Sequence, residues 1–102
     1  MALKALIGTP LCREDADCAT VAVGAKACGG PVAWLAWSRR VTDGAKLEAL
    51  ATRDAAAARA ALRASGAISN CMFVADPGAH CVIADGQAEG ICQTAAQAFG
   101  PR

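Results

Sequence analysis

The chain has 102 residues, enough for one domain with one modest core, and carries six cysteines and a net charge of +1. Ten basic residues against nine acidic ones give no electrostatic basis for binding nucleic acid or an anionic membrane, and no apolar run is long enough for a transmembrane helix. Alanine dominates the hydrophobic fraction of 55%, and it buries little area per residue, so the interior is thin and covalent staples carry weight.

In chain order, Ala2–Leu11 has a short apolar pattern ending in Thr9-Pro10, suited to a brief helical turn or an edge strand before the first cysteine. Cys12-Arg13-Glu14-Asp15-Ala16-Asp17-Cys18 is a polar loop whose five intervening residues can turn and bring the two sulfurs together. Ala19–Gly24, with β-branched residues and a bounding glycine, reads as a strand. Cys28-Gly29-Gly30-Pro31 follows as a rigid corner. It feeds a second strand over Val32–Arg39 that pairs antiparallel with the first. In that strand Val32, Trp34 and Ala36 share one face and Ala33, Leu35 and Trp37 the other. Each face has a tryptophan, so a helix is expected over one and a loop or a partner over the other; a packing role is the plainer reading for each ring, and a binding anchor the alternative.

The strongest periodicity runs from Gly44 to Ser65, where Leu47, Leu50, Ala51, Ala55, Ala58, Ala61 and Leu62 recur at helical spacing behind an N-cap at Thr42 or Asp43, with Gly66 placed to end the helix. Its Lys46, Glu48, Arg53, Arg59 and Arg63 read as a solvated face rather than an anion site. Ile68–Ala75 then reads as a strand and Asp76-Pro77-Gly78 as a turn. His80–Ala84 and Gly90–Thr94 read as hairpin arms that can set Cys81 opposite Cys92, and Ala95–Arg102 as a frayed tail. The expected fold is α+β, one long helix packed on a small antiparallel sheet and stapled by disulfides, as a single domain over residues 7–95 with terminal extensions at 1–6 and 96–102.

An even cysteine count in so short a chain points to three bridges among Cys12, Cys18, Cys28, Cys71, Cys81 and Cys92. At roughly 2–4 kcal/mol each, three bridges rival the 5–15 kcal/mol net stability of an ordinary domain. Fifteen pairings exist; local Cys12–Cys18 and hairpin Cys81–Cys92, leaving Cys28–Cys71, is one of them. The gaps of five, nine, forty-two, nine and ten residues contain no Cys-x-x-Cys, the close pair on which zinc modules and thioredoxin-like sites rely. A disulfide framework implies an extracytoplasmic chain, in the bacterial periplasm or envelope or secreted. Met1–Gly8 is too short an apolar stretch for a signal peptide, so a leader removed upstream is expected. The competing reading is a metal-binding or redox protein that uses reduced cysteines, with His80 as an added ligand.

Catalytic patterns are weak. His80, the single histidine, lies beside Cys81, but a Cys–His pair needs a free thiolate that cysteine pairing removes. Ser38, Ser65 and Ser69 have no second histidine for a triad. Asp15 and Asp17 lack the rest of a calcium loop and read as turn formers, and Gly29-Gly30-Pro31 lacks the lysine and helix start of a phosphate loop. No cofactor is expected.

Ile7-Gly8, Cys12 through Asp17-Cys18, Val21-Ala22-Val23-Gly24, Ala27-Cys28-Gly29-Gly30-Pro31, Leu35-Ala36-Trp37-Ser38, Asn70-Cys71 through Asp76-Pro77-Gly78 and Cys81 together resemble a family of small cysteine-rich bacterial secreted proteins and lipoproteins. The carrying signature is Cys-Gly-Gly-Pro followed by aromatic-x-x-aromatic-Ser; this chain has Trp34 where the family pattern has tyrosine, and a longer insertion between Cys81 and Cys92. That family has no established biochemical activity, so the resemblance implies compartment and fold kinship alone. The expected function is a non-enzymatic protein-interaction module, with protease inhibition as one concrete form. Its candidate binding loops comprise Gly29, Gly30, Pro31, Trp34, Trp37, Asp76, Pro77 and Gly78, and the expected partner is a protein.

Overall fold

The structure, a computed structural model, describes residues 2–26, 30–66 and 74–94. Its elements in order are helix α1 (Ala2–Ile7), strand β1 (Leu11–Cys12), a 3-10 turn (Asp15–Asp17), β2 (Cys18–Val23), β3 (Ala33–Ser38), helix α2 (Gly44–Ser65), β4 (Ala79–Val82) and β5 (Gly90–Thr94). The architecture is α+β, with one long helix and small antiparallel sheets. The Ala2–Leu11 segment supplies both forms that its pattern allowed, a helical turn and then the start of an edge strand. Leu3 of α1 is fully buried, so the residues ahead of position 7 contribute to the core.

α2 forms where its caps permit. Asp43 Oδ1 accepts the N–H groups of Ala45 and Lys46 at 3.0 and 3.3 Å, satisfying two of the donors that a helix start leaves open. At the other end Gly66, at φ 67°, closes the helix in the left-handed region and donates to the Leu62 carbonyl at 3.0 Å. The apolar stripe is buried over less of its length than its periodicity predicts: Leu47 and Ala51 are buried, Leu50, Ala55, Ala58 and Leu62 are half-buried, and Ala61 is exposed. The reason is length. A 22-residue helix spans about 33 Å whereas a six-residue strand spans about 20 Å, so the helix outruns the sheet it packs on.

β2 and β3 pair antiparallel from Cys18↔Ser38 to Val23↔Ala33, as the alternation predicts. Because side chains alternate, this hairpin has two faces. Ala19, Val21, Val23, Leu35 and Trp37 turn toward the helices and join Leu3, Ile7, Leu47, Leu50 and Ala51 in the larger core. The approach is close: a Cβ on Gly44 would lie 2.8 Å from Trp37 Cη2. Cys18 and Ala36 turn to the opposite side and form a second core with Cys12 and Cys92, against which Ala79 and Cys81 pack.

That second core is closed by a three-stranded sheet in the order β1-β5-β4, with Leu11↔Ile91 and Cys12↔Gly90 on one side of β5 and Ala79↔Thr94 through Val82↔Ile91 on the other. Gly90 has no space for a side chain, since a Cβ there would collide with the Val82 carbonyl. Hydrogen bonds sew the layers together: Ser38 Oγ donates to the Leu11 carbonyl, Thr42 Oγ1 to Ile7 O at 3.2 Å, and Arg39 N to Asp17 O at 2.8 Å. Of the expected strand Ile68–Ala75, Val74 and Ala75 are irregular and the rest lies outside the described residues, as does the tail from Ala95.

Candidate functional site

The chemistry-bearing residues gather on the side of the β2–β3 hairpin away from the helices. Two disulfides close there, Cys12–Cys81 and Cys18–Cys92, with Cα–Cα distances of 5.9 and 5.4 Å, inside the span a bridge requires. This corrects the local pairing Cys12–Cys18 and the hairpin pairing Cys81–Cys92. The Asp15–Asp17 turn routes β1 and β2 into different sheets, so Cys12 and Cys18 enter separate bridges. Cys81 and Cys92 do stand opposite one another across β4 and β5, as their spacing suggests, but each is bonded to a cysteine of another element. Cys28, Gly29 and Cys71 lie outside the described residues, and with them the proposed Cys28–Cys71 bridge.

The two bridges lie side by side. The Sγ atoms of Cys12, Cys18 and Cys81 are all within 4.8 Å of one another, and Cys92 Sγ is bonded to that of Cys18. Cys12, Cys18 and Cys92 are buried, and Cys81 is half-buried. In the oxidised form these sulfurs offer no thiolate nucleophile, and their work is mechanical: Cys18–Cys92 welds β2 to the β1-β5-β4 sheet, and Cys12–Cys81 ties β1 to β4 within it.

Held against this weld is the segment that contains Asp76-Pro77-Gly78. Thr20 Oγ1 on β2 bonds to both carboxylate oxygens of Asp76, each at 2.9 Å, and Asp76 Oδ1 also accepts the Gly78 N–H at 2.9 Å. Gly78 stands at φ 71°, the left-handed conformation that the glycine position of this turn demands. Trp34 Nε1 on β3 donates to the Val74 carbonyl at 2.8 Å. At the far end Asp15 Oδ1 accepts the Cys81 N–H at 2.8 Å. The loop over residues 74–78 is thus tied to the hairpin at Val74 and at Asp76, and it runs into β4, which Asp15 holds at Cys81, while Ala75, Asp76 and Gly78 remain exposed and Pro77 half-buried.

Several sequence-predicted residues find definite roles in this arrangement. Trp37 is 5% exposed and belongs to the helix-facing core, whereas Trp34 is half-buried and tethers the loop, so the loop covers the second tryptophan face and the helix the first. Gly30 is exposed and Pro31 half-buried, in the connection between β2 and β3. Asp17 Oδ2 accepts the N–H groups of Arg13 and Glu14 at 2.9 and 3.3 Å, and with Asp15 it shapes the turn, as expected of turn formers. His80 is half-buried on β4 opposite Gln93. Thr20 was not singled out in the sequence: it lies 56 residues from Asp76, and no local pattern links them.

A separate open cleft of about 390 Å³ lies where α1 meets β3 and β5, with Ile7, Pro10, Leu35 and Ile91 as apolar walls and Lys4 and Gln93 as polar side chains. It contains none of the predicted loop residues. No protein-family model, no curated protein and no solved structure matches the chain.

Proposed function

We propose that this chain is a non-enzymatic, extracytoplasmic protein-interaction module whose recognition element is the loop over residues 74–78, flanked by the Gly30-Pro31 corner. The observation that supports this reading is the double tether of an exposed loop, through Trp34 and Thr20, to strands that two disulfides lock together. A loop already held in one shape loses little conformational entropy on binding, so more of its contact energy appears as affinity. Extracytoplasmic residence is supported by the two bridges, which persist in oxidising compartments, and among the described residues no helix is long and apolar enough to cross a membrane.

The concrete form is protease inhibition, in which the exposed Ala75-Asp76 segment is presented in a fixed shape to an enzyme cleft. Incubation with a panel of serine and cysteine proteases is expected to give tight inhibition of at least one, lost in Thr20→Val/Asp76→Ala. Uniform absence of inhibition, or fast cleavage within 74–78, removes the inhibitor form. The wider reading is tested by cross-linking the protein in a bacterial envelope extract. A partner retained equally by the wild type and by Thr20→Val/Asp76→Ala would show that the loop is not the recognition element.

A further inference from the structure

The cleft where α1 meets β3 and β5 combines apolar walls with polar groups that the fold leaves unused. Its walls are Ile7, Pro10, Leu35 and Ile91, its polar side chains are the Lys4 ammonium and the Gln93 amide, and no carboxylate lines it. Among the described residues, neither the exposed Lys4 ammonium nor the half-buried Gln93 amide has an ion-pair or hydrogen-bond partner. At about 390 Å³ the cleft falls in the size range of small-molecule sites, which set a few convergent polar groups against apolar walls. The apolar surface also continues out of it. Leu11 and Val82 are the register partners of Ile91 on its two sides, so the three side chains share one face of the sheet, and Leu11 and Val82 are 40% and 39% exposed. With strands about 4.8 Å apart, this row spans about 10 Å.

We propose that the cleft binds a single-chain aliphatic carboxylate, its head held by Lys4 and Gln93 and its alkyl chain laid against Ile7, Leu35 and Ile91 and on along the Leu11–Ile91–Val82 row. Each end of the ligand follows from the residues that meet it. A carboxylate accepts hydrogen bonds from both an ammonium and an amide N–H, and it supplies the negative charge that the lining lacks. The methylene stem of Lys4 lies along the apolar wall while its charged head stays at the mouth. An alkyl chain asks only for apolar contact, which the walls and the exposed row provide. This site shares no residue with the 74–78 loop, so its test is separate from that of the loop.

The test titrates the full, oxidised chain with octanoate, decanoate and the neutral octanol, read by calorimetry and by amide and methyl chemical shifts. Octanoate should bind at one equivalent with a dissociation constant below about 1 mM and shift Ile7, Leu35, Ile91 and Gln93. Decanoate should bind about tenfold more tightly, because its two further methylenes reach the apolar row. Lys4→Glu and the milder Lys4→Gln should weaken octanoate by about tenfold and about fivefold, whereas Lys4→Arg should hold it within about twofold. Octanol should bind all four proteins equally, which separates lost carboxylate recognition from a lost cleft. Octanoate bound equally by the wild type and both charge-removing variants overturns the assignment, and so does saturable binding whose shifts fall outside the cleft. Absence of saturable binding by either acid overturns it as well. Nuclear Overhauser contacts between residues 95–102 and Leu35 or Ile91 in the free protein would give the cleft to the chain's own tail, with the same result.

Discussion

The two faces of the β2–β3 hairpin are stabilised by different means. The helix-facing side is closed by shape: Val21, Leu35 and Trp37 fit against Leu3, Ile7, Leu47 and Ala51, and Gly44 brings the first turn of α2 onto the Trp37 ring. Apart from Trp34, the hairpin residues on the opposite side are small, with cysteine, alanine and threonine among them, and that side is closed by two covalent bridges and a few directed hydrogen bonds. A chain in which alanine is the dominant apolar residue has enough bulk for one packed face, and the second is stapled instead. The same division separates the tryptophans: Trp37 buries its ring, and Trp34 uses its N–H to hold a loop.

Breaking the stapled face should have the largest effect. In the chain-entropy account a single bridge closing a span of 69 or 74 residues stabilises by about 4 kcal/mol. With one bridge in place, the other closes only the short path from Cys18 back to Cys12 and on from Cys81 to Cys92, roughly 17 residues and about 3 kcal/mol. Alanine at both cysteines of either bridge alone should therefore cost about 3 kcal/mol, and alanine at all four about 7 kcal/mol, enough to unfold a domain of ordinary stability. Urea unfolding of the three variants measures this, and single-bridge losses that sum to the quadruple loss would show that the bridges act independently. On the packed face, Leu47→Ala removes a fully buried side chain and should cost about 3 kcal/mol by the same assay.

Smaller changes sharpen the contrast. Gly44→Ala adds a methyl group 2.8 Å from the Trp37 ring, so despite the better helix propensity of alanine it should destabilise by about 1–2 kcal/mol and alter the near-ultraviolet dichroism of tryptophan. Trp34→Phe keeps a ring but deprives the Val74 carbonyl of its donor. It should cost about 1 kcal/mol in global stability while raising hydrogen exchange and proteolytic nicking over residues 74–78. Trp37→Phe removes an indole N–H that is buried without a partner among the described residues. Its cost should therefore be that of the lost ring atoms alone, and the 74–78 loop should keep its wild-type protection. Loop protection that falls equally in both variants would mean that the two faces are not mechanically separate.

Much of this architecture is legible along the chain because it depends on neighbours in sequence. Asp43 and Gly66 bound α2 at both ends because capping involves groups within one turn, and alternation assigns each residue of β2 and β3 to a face because strand geometry has a period of two. Burial along α2 is less extensive than its stripe suggests because periodicity reports which side of a helix is apolar and says nothing about how far the opposing sheet reaches. Thr20 and Val74 were invisible as loop anchors because their partners, Asp76 and Trp34, are 56 and 40 residues away.

From its residues alone the chain was determined to be a small α+β unit with one capped helix, antiparallel strands and cysteines in even number. Which sulfur meets which was decided only in three dimensions. Fifteen pairings are equivalent by count, and a bridge forms only between cysteines whose Cα atoms the packed sheets hold within about 7 Å. That condition depends on the stacking of the β2–β3 hairpin on the β1-β5-β4 sheet, which pairs each cysteine of a local turn with a cysteine of a distant hairpin.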